Sequence, residues 1–201
     1  MVFNTLIIGG GVAGMQCALV LGSAKGKAYA EGKKVGIVLH QKSSQLQNAL
    51  FNNVLGLPKG TLGSDILKEG KAQLEELYPD VDIIEKEKVV AVLDDVKGYK
   101  VITNKAEYFS KNVVVALNYT KPFSIAGLEQ YVEKHCSANP MKDRIQLRNF
   151  NHLIKEGLYV CGTIAGWRSQ FAIAAGSGAS VATDILTVWN HHTATKVHDK
   201  V

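Results

Sequence analysis

Residues 4–19, Asn-Thr-Leu-Ile-Ile-Gly-Gly-Gly-Val-Ala-Gly-Met-Gln-Cys-Ala-Leu, constrain the fold more than any other part of the chain. An apolar run meets a G-x-G-x-x-G turn and then a helical pattern, which predicts a strand, a phosphate-binding turn and a helix. Gly9 allows the tight turn, Gly11 lets a pyrophosphate approach the backbone, and Gly14 lets the helix lie close on the strand. With Gly10, Val12 and Ala13 they form a cradle faced by the unpaired N–H groups of a helix N-terminus. The same glycines also suit a tight turn without a ligand. Their placement between strand and helix points to a dinucleotide.

The remaining pattern predicts an α/β fold. Residues 34–39 read as a second parallel strand, reached through a Gly-, Ala- and Lys-rich surface link over 23–33. Residues 64–78 carry Ile66, Leu67, Leu74 and Leu77 on one side, an amphipathic helix, and a strand follows at 81–84. Residues 88–93, 99–103 and 107–109 alternate apolar and polar between turn residues, as in a small antiparallel meander. A separate buried strand is expected at 112–117. The stretch 118–155 is polar and irregular apart from a short helix expected around 129–134. A strand at 157–163 then runs into a helix over 169–189, whose small residues suit close packing on a sheet. In that helix Gly176-Ser177-Gly178 is expected to serve helix–sheet contact and no chemistry.

Composition excludes several classes. An apolar fraction of 46% over 201 residues is ample for a core. The net charge of +5 is dispersed, without a basic run or interleaved aromatics, so nucleic acid is not an expected partner. The N-terminal apolar segment is too short to span a bilayer and lacks a leader's features, so a cytoplasmic protein without membrane insertion is expected. Cys17, Cys136 and Cys161 make neither a disulfide framework nor a metal knuckle. His191, His192 and His198 read as a frayed tail or, against that, a metal site; no metal is expected. No Ser-His-Asp order, H-E-x-x-H or spaced carboxylate pair supports a hydrolase.

Taken together, the glycine turn and the later run Gly157-Leu158-Tyr159-Val160-Cys161-Gly162-Thr163, followed by Gln170-Phe171-Ala172-Ile173-Ala174-Ala175-Gly176-Ser177-Gly178, resemble the thioredoxin reductase-like flavoproteins. Asn53-Val54-Leu55-Gly56 is similar to that family's flavin-side loop, and Ile125-Ala126-Gly127-Leu128-Glu129 to its linker. The resemblance implies a Rossmann-like FAD-binding domain with a parallel central sheet and a small antiparallel meander. It implies one domain over 1–201, discontinuous in the family as 1–128 and 140–190 and joined here by a short linker. The implied FAD contacts, beyond residues 9–14, are His40, Gln41, Asn48, Asn53, Val89, Ala116, Leu117, Asn118, Gly162, Thr163, Gln170, Phe171 and Ala172.

Departures from the family are equally informative. Between Glu129 and Gly157 there is no second G-x-G-x-x-G and no room for a βαβ unit, so the NADPH domain with its CxxC is missing. Cys136, in His135-Cys136-Ser137-Ala138-Asn139-Pro140, has Asn139 where a second cysteine would stand. Lys134 and His135 favour a reactive thiolate there, whereas a lost dithiol leaves an inert loop cysteine. Thr163 replaces the ribityl-binding aspartate, retaining a hydroxyl. His40 or Gln41 stands where an acid usually holds the adenosine ribose. Trp167 either covers the flavin or a partner surface or caps the core. The expected function is an FAD-dependent oxidoreductase, not a working thioredoxin reductase, that passes electrons between flavin and an external donor or acceptor. The alternative is a non-catalytic flavin-binding or electron-transfer module acting in a complex. A homodimer or a redox partner protein is expected to cover the surface left by the missing domain.

Overall fold

The computed structural model describes residues 1–40 and 45–198. In chain order the elements are β1 (Val2–Ile8), α1 (Val12–Ser23), β2 (Val35–Leu39), β3 (Leu50–Phe51), β4 (Thr61–Leu62), α2 (Gly63–Leu77) and β5 (Val81–Glu85). There follow β6 (Val89–Asp95), β7 (Gly98–Thr103), β8 (Glu107–Val115), β9 (Val132–Lys134), β10 (Ile145–Leu147), β11 (Leu153–Lys155), β12 (Leu158–Val160) and α3 (Phe171–Trp189).

β12, β8, β1, β2 and β5 lie parallel in that order, and β11 adds antiparallel to β12. Alternation along these strands sends side chains to two cores. Ile7, Ile37, Val114 and Tyr159 face the helices, among Cys17, Leu21, Val181 and Ile185. Leu6, Val38, Val113, Val115 and Leu158 face the other side, where Val92, Tyr99, Val101, Ile145 and Leu147 cover them. Both faces of the parallel strands are buried, which is why those strands read as nearly continuous apolar runs.

Three expectations need correction. The segments expected at 107–109 and 112–117 are one strand, β8, running unbroken to Val115. It pairs with β7 through residues 107–110 and with β12 through 113–115, while β1 runs parallel beside it. The polar Ser110-Lys111 pair hid this continuity; Ser110 is buried, its hydroxyl donating to the Asn112 carbonyl at 2.6 Å. Second, the short helix expected around 129–134 is met only in its first half. A 3-10 turn over Glu129–Tyr131 gives way to β9, which pairs antiparallel with β10. Cross-strand pairing with Ile145 to Leu147, all buried, overrides the local helical pattern.

The third correction concerns residues 176–178 of α3, expected to serve helix–sheet contact: Gly178 lies against α1, while Val181 and Ile185 of the same helix pack on the sheet with Ile7, Val114 and Tyr159. A Cβ at Gly178 would overlap the Ala13 carbonyl oxygen, whereas Gly176 is exposed with open space around it. α3 is long and apolar enough, by length and composition alone, to cross a membrane. Core helices meet the same criterion, and its Val181, Ala182, Ile185 and Leu186 are buried.

The two glycines make a matched test. Gly178→Ala should destabilise the protein by about 1–3 kcal/mol in urea denaturation, because two helix backbones must separate. Gly176→Ala should be neutral or stabilising by up to about 1 kcal/mol, from helix propensity alone.

Candidate functional site

β1 delivers the chain to Gly9, whose φ of +111° is left-handed and whose N–H donates to the Val38 carbonyl at 3.0 Å. A Cβ there would run into the Ala116 carbonyl, and one on Gly14 would overlap the carbonyl oxygen of Gly9. A Cβ on Gly10 would overlap the Leu39 side chain. At Gly11 a Cβ would meet nothing within 4 Å and would project into open space. Gly11 is also the N-cap of α1, which has no side-chain cap, so the first-turn N–H groups are left for a ligand.

That open space belongs to a cleft of about 980 Å³, near the upper end of the range of about 300–1,000 Å³ usual for small-molecule sites. Gly9, Gly10, Gly11, Val12 and Ala13 form its floor. His40 and Val89 line one end; Ala116, Leu117, Asn118, Gly162, Thr163, Gln170 and Phe171 line the other side. Gly14 is buried beneath the turn, acting through backbone packing. Asn48, Asn53 and Ala172 are exposed and do not line the cleft. Gln41 lies outside the described residues.

The far wall depends on Gly162, in a left-handed conformation at φ +76° immediately after the buried Cys161. A Cβ there would stand 2.9 Å from that of Ala13. The Gly162 N–H donates to Ser177 Oγ at 2.8 Å, and Ser177 Oγ lies 2.9 Å from His152 Nε2. Ser177 Oγ thus bridges the Gly162 N–H and the His152 ring, the direction of the second bond being set by the ring's tautomer. Burial pulls the His152 pKa below its usual value, with a hydrogen bond to the Asn151 backbone in partial opposition. Trp167 stacks on this ring at 5.4 Å and an interplanar angle of 7°. Trp167 thus lids the His152 pair, with 46% of its own surface exposed. Ser177, expected only to ease packing, is a hydrogen-bonding node. Glycine spacing masked it because its partners are 15 and 25 residues away.

Cys136 does not line the cleft. It is exposed, with Sγ 3.4 Å from Ser137 Oγ and 3.6 Å from the Gly166 carbonyl oxygen. His135 is buried: its Nδ1 accepts the Ser137 N–H at 3.1 Å, and its Nε2 lies 3.0 Å from the Thr163 carbonyl oxygen. Both ring nitrogens are thus engaged, and the ring ties residues 135–137 to the 162–166 turn. Burial holds the thiol of Cys17 well above its usual pKa and pushes that of Cys161 up to about 12, so neither supplies a thiolate. No metal-ligating cluster occurs among the described residues.

Features missed in the sequence include Phe51, whose ring meets Phe171 edge-on at 5.2 Å. Lys68, Lys71, Lys86 and Lys88 also line the cleft. Lys71 Nζ lies 3.0 Å from Glu85 Oε1, joining α2 to the end of β5. Only topology brings these lysines together: β5 lies beside β2, with Glu85 opposite Leu39.

Fold and cleft together define an α/β protein of the dinucleotide-binding class. The family model described as pyridine nucleotide-disulphide oxidoreductase matches residues 3–178, and the chain belongs to that family. Among solved structures it is similar to an oxidoreductase from Agrobacterium tumefaciens, with a TM-score of 0.71 at 15% identity, covering 92% of this chain and 97% of that one. Against the T. acidophilum thioredoxin reductase the TM-score is 0.69 at 15% identity, with coverage of 93% and 98%. For a ferredoxin-flavin thioredoxin reductase from Clostridium acetobutylicum it is 0.70 at 14%, with coverage of 94% and 99%. At these identities the likeness is one of fold. No curated protein matches.

Ser177→Ala should cost about 1–3 kcal/mol, since it strands the Gly162 N–H and the His152 ring in a buried setting. The lowered His152 pKa fixes the sign of a pH effect. Above the unfolded value of about 6.5 both states are neutral and the stability is complete; as pH falls below it the unfolded chain takes up the proton first. Unfolding free energy measured against pH should therefore decline more in wild type than in His152→Gln as pH falls from about 7 to 5.

Proposed function

We infer that the cleft holds FAD and that the protein is a flavoprotein oxidoreductase built as one domain, with no nicotinamide domain of its own between Leu128 and Gly157. The observation carrying this reading is the continuity of one cleft from the open face of Gly11 to Gly162, Thr163 and Phe171. The residues fit the group: bare backbone and helix N–H donors suit a pyrophosphate, and aromatic and small side chains suit a flat ring. Residues 9–14 would hold the pyrophosphate, His40 and Val89 the adenosine, and Thr163 the ribityl chain. Ala116 to Asn118 with Gln170 and Phe171 would flank the ring.

Bound there, FAD supplies the electron-accepting and electron-donating chemistry. The protein binds and orients it, and α3, whose N-cap is Gln170, directs its positive end toward the flavin side. The segment 129–157 is spent on a 3-10 turn and the short strands β9, β10 and β11. It offers no second nucleotide cradle, so electrons reach the flavin from a donor that does not dock in this segment, with a redox partner protein the reading we favour.

Purified protein should bind FAD with a flavin absorption band, and Gly11→Val should abolish binding while leaving the fold intact, because the new side chain enters only the cleft. Thr163→Val should weaken FAD by about 0.5–1.5 kcal/mol in titration, the worth of one neutral hydrogen bond. A protein that stays colourless after saturation with FAD overturns the assignment. Anaerobic mixing with NADPH or NADH should bleach the flavin slowly, without disulfide reductase activity and equally in Cys136→Ser. Fast, saturable bleaching would mark a self-sufficient NAD(P)H oxidoreductase. Reduction by a partner protein alone would mark a module of a complex.

A further inference from the structure

The adenosine end of the cleft is built for more negative charge than an unmodified ribose carries. A free ribose diol is held by a carboxylate after the second strand, whereas a phosphorylated ribose is met by cations. Here β2 ends at Leu39, and His40, the residue that follows it and lines the cleft, is not a carboxylate. Lys68 and Lys71 from α2 and Lys86 and Lys88 after β5 line this end, with Glu85 and Glu87 as its acids. Both acids are committed. Glu85 pairs with Lys71 at 3.0 Å, and Glu87 Oε2 accepts from the hydroxyls of Thr103 at 2.7 Å and Tyr108 at 2.9 Å, both buried residues.

Lys68, Lys86 and Lys88 therefore have no carboxylate partner among the described residues. With Lys71 balanced by Glu85, the three remaining lysines outweigh the Glu87 carboxylate by two positive charges, so this concavity favours an anion. Lys86 is also held at φ +60°, a conformation that L residues rarely adopt, by its N–H bond to the Leu39 carbonyl at 3.0 Å. That bond fixes Lys86 at the end of β2, where the adenosine ribose of a nucleotide seated on Gly11 would lie.

We propose that this end of the cleft binds a phosphomonoester on the adenosine ribose, so that the protein takes 2′- or 3′-phosphorylated adenine nucleotides, the chemistry carried by NADP(H) and by coenzyme A. The proposal rests on the dinucleotide reading of the cleft. Such a nucleotide and FAD both place their pyrophosphate on Gly11, so they exclude one another. A phosphorylated nucleotide is then a competitor for the cleft and not an electron donor from within it.

The test is calorimetric titration of the flavin-free protein with 5′-AMP, ADP, adenosine 2′,5′-bisphosphate and adenosine 3′,5′-bisphosphate, at low and high salt. One bisphosphate should bind about tenfold more tightly than both AMP and ADP, with the advantage shrinking as salt rises. The preferred isomer identifies the source, 2′ for an NADP-type and 3′ for a coenzyme A-type ligand. The double variant Lys86→Asn, Lys88→Gln should bring the bisphosphate within about threefold of ADP, the bisphosphate losing more affinity than ADP does and the melting temperature staying the same, asparagine being tolerant of positive φ. Lys68→Gln should give a smaller loss of the same kind. Bisphosphates no tighter than ADP, or a preference that survives the double variant, overturn the proposal. FAD binding without bisphosphate preference sinks this inference alone, and bisphosphate preference without FAD binding sinks the flavin reading alone.

Discussion

Ala13 is the point on which the cleft depends. Its carbonyl lies against Gly178 of α3, its Cβ lies against Gly162 of the far wall, and its neighbour Gly14 sits on the Gly9 carbonyl. Three segments distant in sequence thus meet around one small residue in the first turn of a helix. Helix–helix contact, the strand-to-helix turn and the wall formed by residues 162–163 share one set of backbone distances, and interiors this dense do not absorb an added methyl locally. The N-terminus of α1 is held where its unpaired N–H groups face the cleft because glycines on both sides let it approach.

Much of this was legible in the sequence, for identifiable reasons. The turn at 9–14 is local: strand, turn and helix signals sit in adjacent residues, and Gly9 and Gly14 have the separate steric tasks expected of them, while Gly11 opens on the cleft. Gly157 to Thr163 and the helix after it were legible for the same reason. What escaped reading is non-local. β9 looked helical because its partner β10 follows ten residues later, beyond the reach of a periodicity argument. The lysines that line the cleft escaped because they come from α2 and from the turn after β5, which only sheet order brings together.

The residues singled out for chemistry divide in the same way. Cys136 drew notice through neighbours in sequence, Lys134 and His135, but the ring of His135 turns inward and its nitrogens engage Ser137 and Thr163. Sequence proximity to a histidine says nothing about which way the ring points. Ser177 and His152, unremarkable in the sequence, instead support the backbone of the cleft wall. Buried polar groups are satisfied by partners wherever the fold places them, and one hydroxyl here serves both a backbone N–H and an imidazole.

The meeting of α3 with Ala13 also orders events during synthesis. The glycine turn and α1 leave the ribosome first, yet the wall at Gly162 and the helix that covers Cys17 and Leu21 are encoded only after residue 160. Until those last elements emerge, the nascent chain carries an apolar helix face without its cover and a phosphate cradle without its opposite wall. Such a half-built state is prone to aggregation while it lasts. Closure of the cleft is therefore a late step of biogenesis, and the stretch from Gly162 through α3 acts as the checkpoint that decides whether the earlier part of the chain becomes a cleft at all.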